Sequence, residues 1–398
     1  MYKDKRIMIV GGGEWQVPII KKAKEMGLRV LNTNLYPESP GFEYADLTAI
    51  ADVLDKDNQL RLAKQYQPHA IITDQSDIAV PTVAYLCEEL GLPGIGVAVA
   101  NQFTDKYLMR EFIRSQNLPC PYYRLCSSEE EVLDFANTIG MPMILKPTNN
   151  QSSRGVNKIS TFNEIPYLFR DTLQYSKEKQ VLAESYVDGF ELTVEGFQTN
   201  EGHRTLAVSK KKHLNESKTV ARELLYTWSE PDINYPKLEA QHNLMVEMMG
   251  LPFGITHAEY KVVNDNYYLI EIAARGGGTK ISSHIVPLLS GVDTNGMLIR
   301  MALGEQVKMN HSLLRNKNAL LEFFVLPEGR VSKIVGVNKI RELPYLIDIG
   351  LSIKEGDEIR HPKDDRSRAG YFIIEGDDKE QLQYRASVIK NKLVVYYE

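Results

Sequence analysis

Two glutamates lie on the two strands of a predicted β-hairpin within residues 257–278. Runs rich in Tyr, Val, Ile and Leu flank an Asn264-Asp265-Asn266 turn, which is the pattern of strand, turn and strand. With three residues in the loop, Glu259 lies directly opposite Glu271, where two like charges destabilise a sheet. A divalent cation between the carboxylates would reverse that effect, and Mg²⁺ prefers carboxylate and phosphate oxygens. The spacing therefore predicts a magnesium site that handles a nucleotide.

The hairpin also predicts which side chains are buried. Period-two alternation places these residues on the face opposite the glutamates: Ala258, Tyr260, Val262, Tyr268, Ile270 and Ile272. Two alternatives stay open at this point. A solvated sheet face accounts for the spacing as well as a metal does, and a two-residue loop would put the glutamates on opposite faces.

A cation and a run of glycines follow the second glutamate. Arg275 comes directly before Gly276–Gly278. The backbone N–H groups of such a run can form a nest for an anion, although an ordinary flexible turn is the simpler interpretation of the glycines alone. Together, the two carboxylates, the metal between them, the arginine and the anion nest indicate a site that acts on a phosphoryl group.

A second candidate anion site follows the predicted strand that delivers Lys146. Pro147 ends that strand, and a loop rich in Ser and Asn contains Arg154 and Gly155. Small residues let backbone N–H groups approach phosphate oxygens closely, and the lysine supplies a point charge. The G-K-[ST] signature of a P-loop is missing. The pattern therefore predicts phosphate binding by a loop of another type, with an unremarkable flexible loop as the alternative.

Length and composition limit the classes of protein. A chain of 398 residues is too long for one compact core, so two or three domains are expected. The net charge of −5 and the pI near 6.0 argue against a nucleic-acid binder, and a run of about 18 apolar residues, as a membrane span needs, is missing. The N-terminal segment lacks the features of a signal peptide, and Cys87, Cys120 and Cys126 form no C-x-x-C pair. These features predict a cytoplasmic protein.

The first hundred residues have the order of a βαβ unit. Residues 6–10 predict a strand, Gly11–Gly13 a tight turn, residues 17–26 a helix and residues 28–32 a second strand. A nicotinamide dehydrogenase is one interpretation, but the spaced third glycine of G-x-G-x-x-G and an acidic residue after the second strand are missing. The turn, and the segment that follows a strand at residues 70–73, predict a substrate site instead. Its candidate residues are Gly12, Gly13, Glu14, Gln16, Asp74, Ser76 and Asp77.

Ordered motifs along the chain resemble the ATP-grasp superfamily. They are Lys106 on a predicted helix, Lys146 in ILKP, the QSSRGV loop, AESYVDGFE, AEYKV and IEIAARGGG. The resemblance covers the whole chain and implies an α/β (α+β) fold. It implies a Rossmann-like pre-ATP-grasp domain at residues 1–100, the small lobe of the ATP-grasp fold at 101–187 and its large lobe at 188–310. A small C-terminal β-rich subdomain at 311–398 would complete the large lobe.

Within that superfamily the chain looks most like the carboxylate–amine ligases, which include L-amino-acid ligases. The resemblance implies an enzyme that uses ATP and Mg²⁺, or Mn²⁺ in its place, to convert a carboxylate into an acyl phosphate that an amine attacks. It implies that Arg275 and Lys146 are catalytic and that Glu259 and Glu271 hold the metal. The implied ATP contacts are Lys106, Lys146, Ser152, Ser153, Arg154, Gly155, Val156, Glu184, Tyr186, Val187 and Glu191.

The resemblance also bears on substrates and partners. It implies a small-molecule carboxylate and a small-molecule amine, no nucleic-acid or membrane partner, and a homodimer. Lys210, Gly277 and Gly278 join Arg275 and the N-terminal candidates as expected substrate contacts. Because an acyl phosphate hydrolyses readily, a lid that excludes water is expected, and residues 152–155 and 209–235 are the candidates.

One position departs from the family pattern. Many members carry an asparagine metal ligand two residues after the second glutamate, where this chain has Ala273. Alanine cannot ligate a metal, so the number of metal ions stays open while activity is expected. Two other functions also stay open: a purine-pathway enzyme that carboxylates or formylates a ribonucleotide amine, and an ATP-binding sensor without turnover.

Overall fold

The structure is a computed structural model, and it describes residues 2–150, 154–214, 220–309, 313–362 and 364–398. Within those residues the strands form four sheets, and helices pack on them. None of the helices found there is long and apolar enough to cross a membrane. Short 3₁₀ turns lie at Glu14–Gln16, Pro40–Tyr44, Asp77–Ala79, Phe162–Glu164 and Asp365–Ser367.

The N-terminal part is a parallel sheet with flanking helices. Its elements are β1 (Arg6–Val10), α1 (Val17–Glu25), β2 (Arg29–Asn34), β3 (Leu47–Ile50), α2 (Lys56–Tyr66), β4 (Ala70–Ile72) and α3 (Val80–Leu90). The strand order is β3-β2-β1-β4, with parallel pairing throughout. Strand β1 is internal and buried on both faces, which explains its continuous apolar run. The carboxyl ends of β1 and β4 bring residues 11–16 and 73–77 to one edge, where Gln16 Nε2 donates to Asp74 O at 2.7 Å.

A smaller antiparallel sheet follows. Its elements are α4 (Val97–Gln102), α5 (Lys106–Ser115), β5 (Tyr123–Cys126), α6 (Glu129–Ile139), β6 (Met143–Lys146), β7 (Asn157–Ile159), α7 (Ile165–Leu173) and β8 (Val181–Ser185). The strand order is β5-β8-β6-β7. Leu145 and Ala183 pack with α6 and α7 on one face. Alternation therefore turns their neighbours Lys146 and Glu184 to the other face.

The largest sheet begins with a long antiparallel run. Its elements are β9 (Phe190–Thr199), β10 (Gly202–His213), β11 (Ala221–Tyr226), α8 (Tyr235–Met248), β12 (Gly254–Val263), β13 (Asn266–Ala273), α9 (Val286–Ser290) and α10 (Thr294–Ala302). A π-helical turn at Ile281–Ile285 precedes α9. Strands β10 and β11 occupy much of residues 209–235, so the prediction of one long lid there is wrong. Leu224, Leu225 and Tyr226 are buried in the sheet, and their apolar character was the available signal.

C-terminal strands extend this sheet. Residues beyond 317 contain β14 (Asn318–Phe323), β15 (Gly329–Val335), α11 (Val337–Arg341), β16 (Leu346–Leu351), β17 (Glu358–Ile359), β18 (Gly370–Gly376), α12 (Lys379–Lys392) and β19 (Val394–Tyr397). The large sheet has the order β13-β12-β9-β10-β11-β14-β18-β16, and β17-β15-β19 form a small separate sheet. The C-terminal segment thus supplies one side of the same sheet that carries the β12–β13 hairpin at its edge.

The β12–β13 hairpin has the predicted pairing of its two glutamates, but its turn is shorter than predicted and one strand contains an extra residue. The turn holds two residues, Asn264 and Asp265, with φ of 48° and 60°, so the three-residue loop is wrong. That turn alone would put Glu259 and Glu271 on opposite faces. A β-bulge at Ile270 adds one residue to β13, and the predicted pairing of Glu259 with Glu271 is confirmed.

The bulge also changes which side chains of β13 are buried. The hairpin residues that join one apolar core cluster are Ala258, Tyr260, Val262, Tyr267, Leu269 and Ile272. The predicted burial of Tyr268 and Ile270 is therefore wrong, because both are only partly buried. The extra residue shifts the alternation, so the half of β13 near the turn is out of phase with the half that carries Glu271.

Arg110 of α5 fixes the bulge from outside the sheet. Its side chain is fully buried, and its Nη2 donates to the bulge carbonyl of Ile270 at 2.8 Å. Its Nε donates to Glu184 Oε1 on the small sheet at 2.7 Å. One guanidinium therefore ties the small sheet to the hairpin of the large sheet.

Arg110→Ala is expected to lower the free energy of unfolding by about 3–5 kcal/mol, because it removes one partner of a buried ion pair. Urea denaturation followed by circular dichroism measures the change. Arg114→Ala is the matched control, since that side chain lies on the same helix and is 66% exposed. The control should change stability by no more than about 1 kcal/mol. Equal losses in the two variants would contradict the anchoring role.

Candidate active site

A cleft of about 1040 Å³ lies between the small sheet and the β12–β13 hairpin. Most of the predicted ATP contacts line it: Lys106, Lys146, Arg154, Val156, Glu184, Tyr186, Val187 and Glu191. Gly155 instead faces Tyr175, whose ring would meet a Cβ at 2.7 Å. Ser152 and Ser153 lie outside the described residues.

Lys146 and Glu184 form a buried pair on the floor of the small sheet. Lys146 Nζ lies 2.8 Å from Glu184 Oε2, while Arg110 occupies the other carboxylate oxygen. Burial lowers the pKa of Lys146 to about 8, against the attraction of Glu184. Burial also works to raise the pKa of Glu184, but Arg110 and Lys146 hold that pKa below its usual range. The carboxylate thus positions a lysine that loses its charge readily above neutral pH.

Rows of side chains cross the large sheet on the face that carries the two glutamates. One row is Lys211, Glu191 and Lys261; the next is Ser209, Thr193, Glu259 and Glu271; the third is Ala207, Glu195, His257 and Ala273. Positions two apart on a strand share a face, so these rows form one continuous polar surface. Carboxylates and cations both lie on it.

Lys211 joins two of these rows, and sequence reasoning missed it. Its Nζ lies 2.6 Å from Glu191 Oε1 and 3.0 Å from Glu259 Oε1. Burial works to lower the pKa of Lys211, but the attraction of the two carboxylates is stronger than this effect and raises that pKa. Burial likewise opposes ionisation of Glu191, yet Lys211 and His213 lower the pKa of Glu191 to about 2. Lys211 therefore stays charged and holds two anions together.

The other two cations at the glutamates are Lys106 and His257. Lys106 Nζ lies 2.7 Å from Glu271 Oε1. His257 Nδ1 lies 2.8 Å from Glu195 Oε1, and its Nε2 lies 3.8 Å from Glu259 Oε1. Burial disfavours the imidazolium, but Glu195 outweighs that effect and raises the pKa of His257 to about 9. Each glutamate of the pair thus has a cation beside it.

The glutamate pair fits a hard divalent cation. Glu259 and Glu271 are cross-strand partners, and both line the cleft. Among the residues that the structure describes, no group of three or more His, Cys, Asp and Glu side chains could hold a metal ion. The chain therefore offers two carboxylates, and water and phosphate oxygens would complete the shell, as Mg²⁺ prefers at nucleotide sites.

A second cavity, of about 1740 Å³, adjoins the cleft. Lys211, Glu259 and Glu271 line both spaces. The predicted substrate contacts in its wall are Gln16, Ser76, Asp77, Arg275 and Gly278. The wall also contains residues that sequence reasoning did not single out, among them Trp15, Leu224, Phe323, Ser352, Arg366 and Arg368. These come from distant parts of the chain, and no local sequence pattern could have joined them.

Arg275 is held in place by Asp77. Its Nε and Nη2 each donate to Asp77 at 2.7 Å, and its Nη1 donates to Gly276 O at 2.9 Å. Burial works to raise the pKa of Asp77, but the Arg275 guanidinium keeps that pKa below its usual range. This bidentate pair joins the N-terminal domain to the end of the hairpin.

Other predicted substrate contacts do not line these two cavities: Gly12, Gly13, Glu14, Asp74, Lys210 and Gly277. Asp74 is fully buried and accepts from Gly276 N at 2.8 Å, so that glycine N–H is not available to an anion nest. Lys210 points to the other face of the sheet, where its Nζ lies 2.8 Å from Asp232 Oδ2. Gly12 packs against Asn32, whose Oδ1 would lie 2.4 Å from an added Cβ.

Comparison with known families agrees with this geometry. Residues 139–283 match the model of the ATP-grasp domain. Residues 139–283 are therefore an ATP-grasp domain. Residues 322–398 match the model of the L-amino acid ligase C-terminal domain 2, and this range includes β16 and β18 of the large sheet. The predicted family and the predicted α/β fold are both confirmed.

Individual relatives are distant. The L-amino acid ligase of Bacillus licheniformis superposes with a TM-score of 0.85 at 18% identity, with 100% of both chains covered, which shows a common fold. An uncharacterised protein of Sinorhizobium fredii is 25% identical over 317 residues, which are 79% of this chain and 65% of that protein. The formate-dependent phosphoribosylglycinamide formyltransferase of Syntrophotalea carbinolica is 26% identical over 197 residues, 48% of this chain and 49% of the relative. The chain thus spans about half to two-thirds of the length of these curated relatives.

Glu271→Gln is expected to abolish ATP turnover while the melting temperature changes little, because an amide is a weaker ligand for a hard cation than a carboxylate. ADP release with Mg·ATP measures the loss. Glu375→Gln is the control, since Glu375 lies on β18 and pairs with Lys317 away from the cleft. Full turnover in the Glu271 variant would refute the metal assignment.

ATP binding is expected to take up a proton between about pH 8 and pH 10. The pKa of Lys146 is about 8 in the free protein, and nearby phosphates would raise it toward the ordinary lysine value near 10.4. Titration calorimetry in two buffers of different ionisation enthalpy measures the uptake. Lys146→Arg, which stays charged across this range, should bind ATP without it. An undiminished uptake in that variant would assign the proton to another group.

Proposed function

We propose that this protein is an ATP-dependent carboxylate–amine ligase, which forms an acyl phosphate and couples it to an amine. The observation that carries the proposal is the junction of the two cavities at Lys211, Glu259 and Glu271. Phosphates of a nucleotide in the first cleft and a carboxylate in the second cavity would meet at this junction. That geometry suits transfer of a phosphoryl group from one to the other.

The first cleft supplies what a nucleotide requires. Apolar side chains for the walls of a ring pocket come from Ile144, Val156, Val187 and Ile270. Lys106 and Lys146 provide positive charge for phosphate oxygens. Mg²⁺ held by Glu259 and Glu271 would neutralise charge on those oxygens. Lys106 Nζ lies 2.7 Å from Glu271 Oε1, so this lysine borders the proposed metal site and would face the same phosphate oxygens.

The proposed reaction has two steps. First, a carboxylate oxygen bonds to the terminal phosphorus of ATP, and the bond from that phosphorus to the bridging oxygen breaks, which releases ADP. Second, the amine nitrogen bonds to the acyl carbon, the carbon–oxygen bond to phosphate breaks, and the nitrogen loses a proton to water. Phosphate and an amide are the products.

Arg275 is the residue best placed to stabilise charge during these steps. Its guanidinium lines the second cavity and has five N–H donors, of which one each on Nε, Nη1 and Nη2 is used by Asp77 or Gly276. Two donors are left for substrate oxygens. Since Asp77 fixes the plane of the guanidinium, these donors are oriented before a substrate binds.

A second candidate function is formylation or carboxylation of a ribonucleotide amine. Arg366 and Arg368 line the second cavity, and a pair of arginines would suit a phosphate group. The formyltransferase relative from Syntrophotalea carbinolica also favours this reading. Against it, the Arg368 guanidinium is already occupied by Asp365 at 3.0 Å, which leaves one guanidinium rather than two. The ligase is therefore the better supported function.

Hydroxylamine trapping tests the acyl phosphate directly. The protein is incubated with Mg·ATP, hydroxylamine and pools of L-amino acids or other small carboxylates, and hydroxamate and ADP are both measured. We expect one pool to give equal amounts of the two products, and Glu271→Gln to give neither. ADP release that appears only with formate and a phosphoribosyl amine would support the second candidate. ATP binding without ADP release in any mixture would contradict both and favour a sensor.

A further inference from the structure

Within the described residues, the cations that line the second cavity are paired with carboxylates, apart from one. Lys211 is paired with Glu191 and Glu259, His257 with Glu195, Arg275 with Asp77, and Arg368 with Asp365. Arg366 differs from these residues. Its backbone N–H donates to the capping carboxylate of Asp364, but no ion pair or hydrogen bond links its guanidinium to the part of the chain that the structure describes.

The turn that carries Arg366 is nevertheless well anchored. Asp364 Oδ1 accepts from Arg366 N at 3.0 Å and fixes the start of the Asp365–Ser367 turn. Arg368 then stacks with its guanidinium carbon 3.4 Å from the ring centroid of Phe323 on β14. These contacts hold the backbone of the turn against the large sheet, while the Arg366 side chain stays exposed. Because the backbone of the turn is fixed, a ligand has to order only the Arg366 side chain.

Arg366 also lies between two cavities that border Glu271. It lines the second cavity and a third one of about 1820 Å³, and Asp77, Ile78 and Glu271 line these same two spaces. It does not line the nucleotide cleft. An oxyanion that binds Arg366 would therefore lie outside that cleft, apart from the triphosphate site at Lys106 and Lys146.

We propose that Arg366 binds an oxyanion carried by the amine substrate, and that it makes this protein select anionic amines over neutral ones. The inference rests on the proposed ligase function. A guanidinium presents a planar pair of donors that matches a carboxylate or a phosphate, and each gives a bidentate, charge-assisted contact. The other cations of the cavity are already held by carboxylates, and the two free donors of Arg275 are assigned to the transfer steps. Arg366 is thus a residue that determines specificity rather than one that takes part in phosphoryl transfer.

The test uses pairs of amines that differ only in the anionic group. The carboxylate identified by hydroxylamine trapping is held constant, and ADP release is measured with L-alanine against L-alaninamide and with phosphoethanolamine against ethanolamine. We expect the wild-type protein to prefer the anionic member of one pair. Preference within the first pair identifies a carboxylate, and preference within the second a phosphate. Equal use of both members in both pairs would overturn the proposal.

Variants then assign the preference to Arg366. Arg366→Ala should raise the KM for the preferred anionic amine by about 10- to 100-fold, as loss of a charged hydrogen bond predicts, with the KM for ATP unchanged. Arg366→Lys should recover part of the loss, because it keeps the charge without the planar donor pair. Arg360→Ala is the matched control, since Arg360 is an exposed arginine of the same segment that pairs with Glu358 and lines none of the three cavities.

Two results would count against the proposal in different ways. If hydroxamate forms but Arg366→Ala lowers the use of anionic and neutral amines equally, the ligase stands and the role of Arg366 is refuted. If the variant instead raises the KM for ATP, Arg366 serves the nucleotide and the assignment is wrong. Failure to form hydroxamate with any carboxylate refutes the ligase itself, before the variant is made.

Discussion

The arrangement of the site follows from one electrostatic constraint, which is the placement of two glutamates directly opposite each other on neighbouring strands. Such a pair is unfavourable by itself, so the sheet must bring cations to it. Lys211 and His257 lie beside Glu259, and Lys106 approaches Glu271 from helix α5. These cations lower the cost of assembling the carboxylates in a folded protein without a metal. Under the proposed function, a metal on the carboxylates would make these cations available to phosphates, so the same contacts would serve stability and binding.

The sequence could predict the pairing of the glutamates but not the way in which the chain achieves it. Alternation and a turn signal located the hairpin, yet they could not show that a two-residue turn and a bulge at Ile270 compensate for each other. The bulge is stabilised by Arg110, which is 160 residues away in the sequence. Two errors, in the loop length and in the burial of Tyr268 and Ile270, thus share one cause. A contact from a distant helix decided a local geometry.

The same limit explains the residues of the site that were missed or misplaced. Lys210–Lys212 are three identical residues, and only the register of β10 shows that Lys211 faces the glutamates while Lys210 faces away. Asp77 was identified as a polar residue at the end of a strand, but its partner Arg275 lies 198 residues further along the chain. Most residues of the family motifs line the first cleft together, because each motif is a short segment. The second cavity is built from several distant segments, and its composition depends on the fold.

Ala273 shows how the fold limits the chemistry at the junction. Its cross-strand partner is His257, and both line the second cavity. The imidazole is tied to Glu195 through Nδ1, and the methyl group opposite offers no donor atom. A metal ion at Glu259 and Glu271 would therefore gain no oxygen ligand from residue 273. Its remaining ligands would have to be water or phosphate oxygens, so we infer that the affinity for Mg²⁺ depends on the nucleotide more strongly than it would with an asparagine at that position.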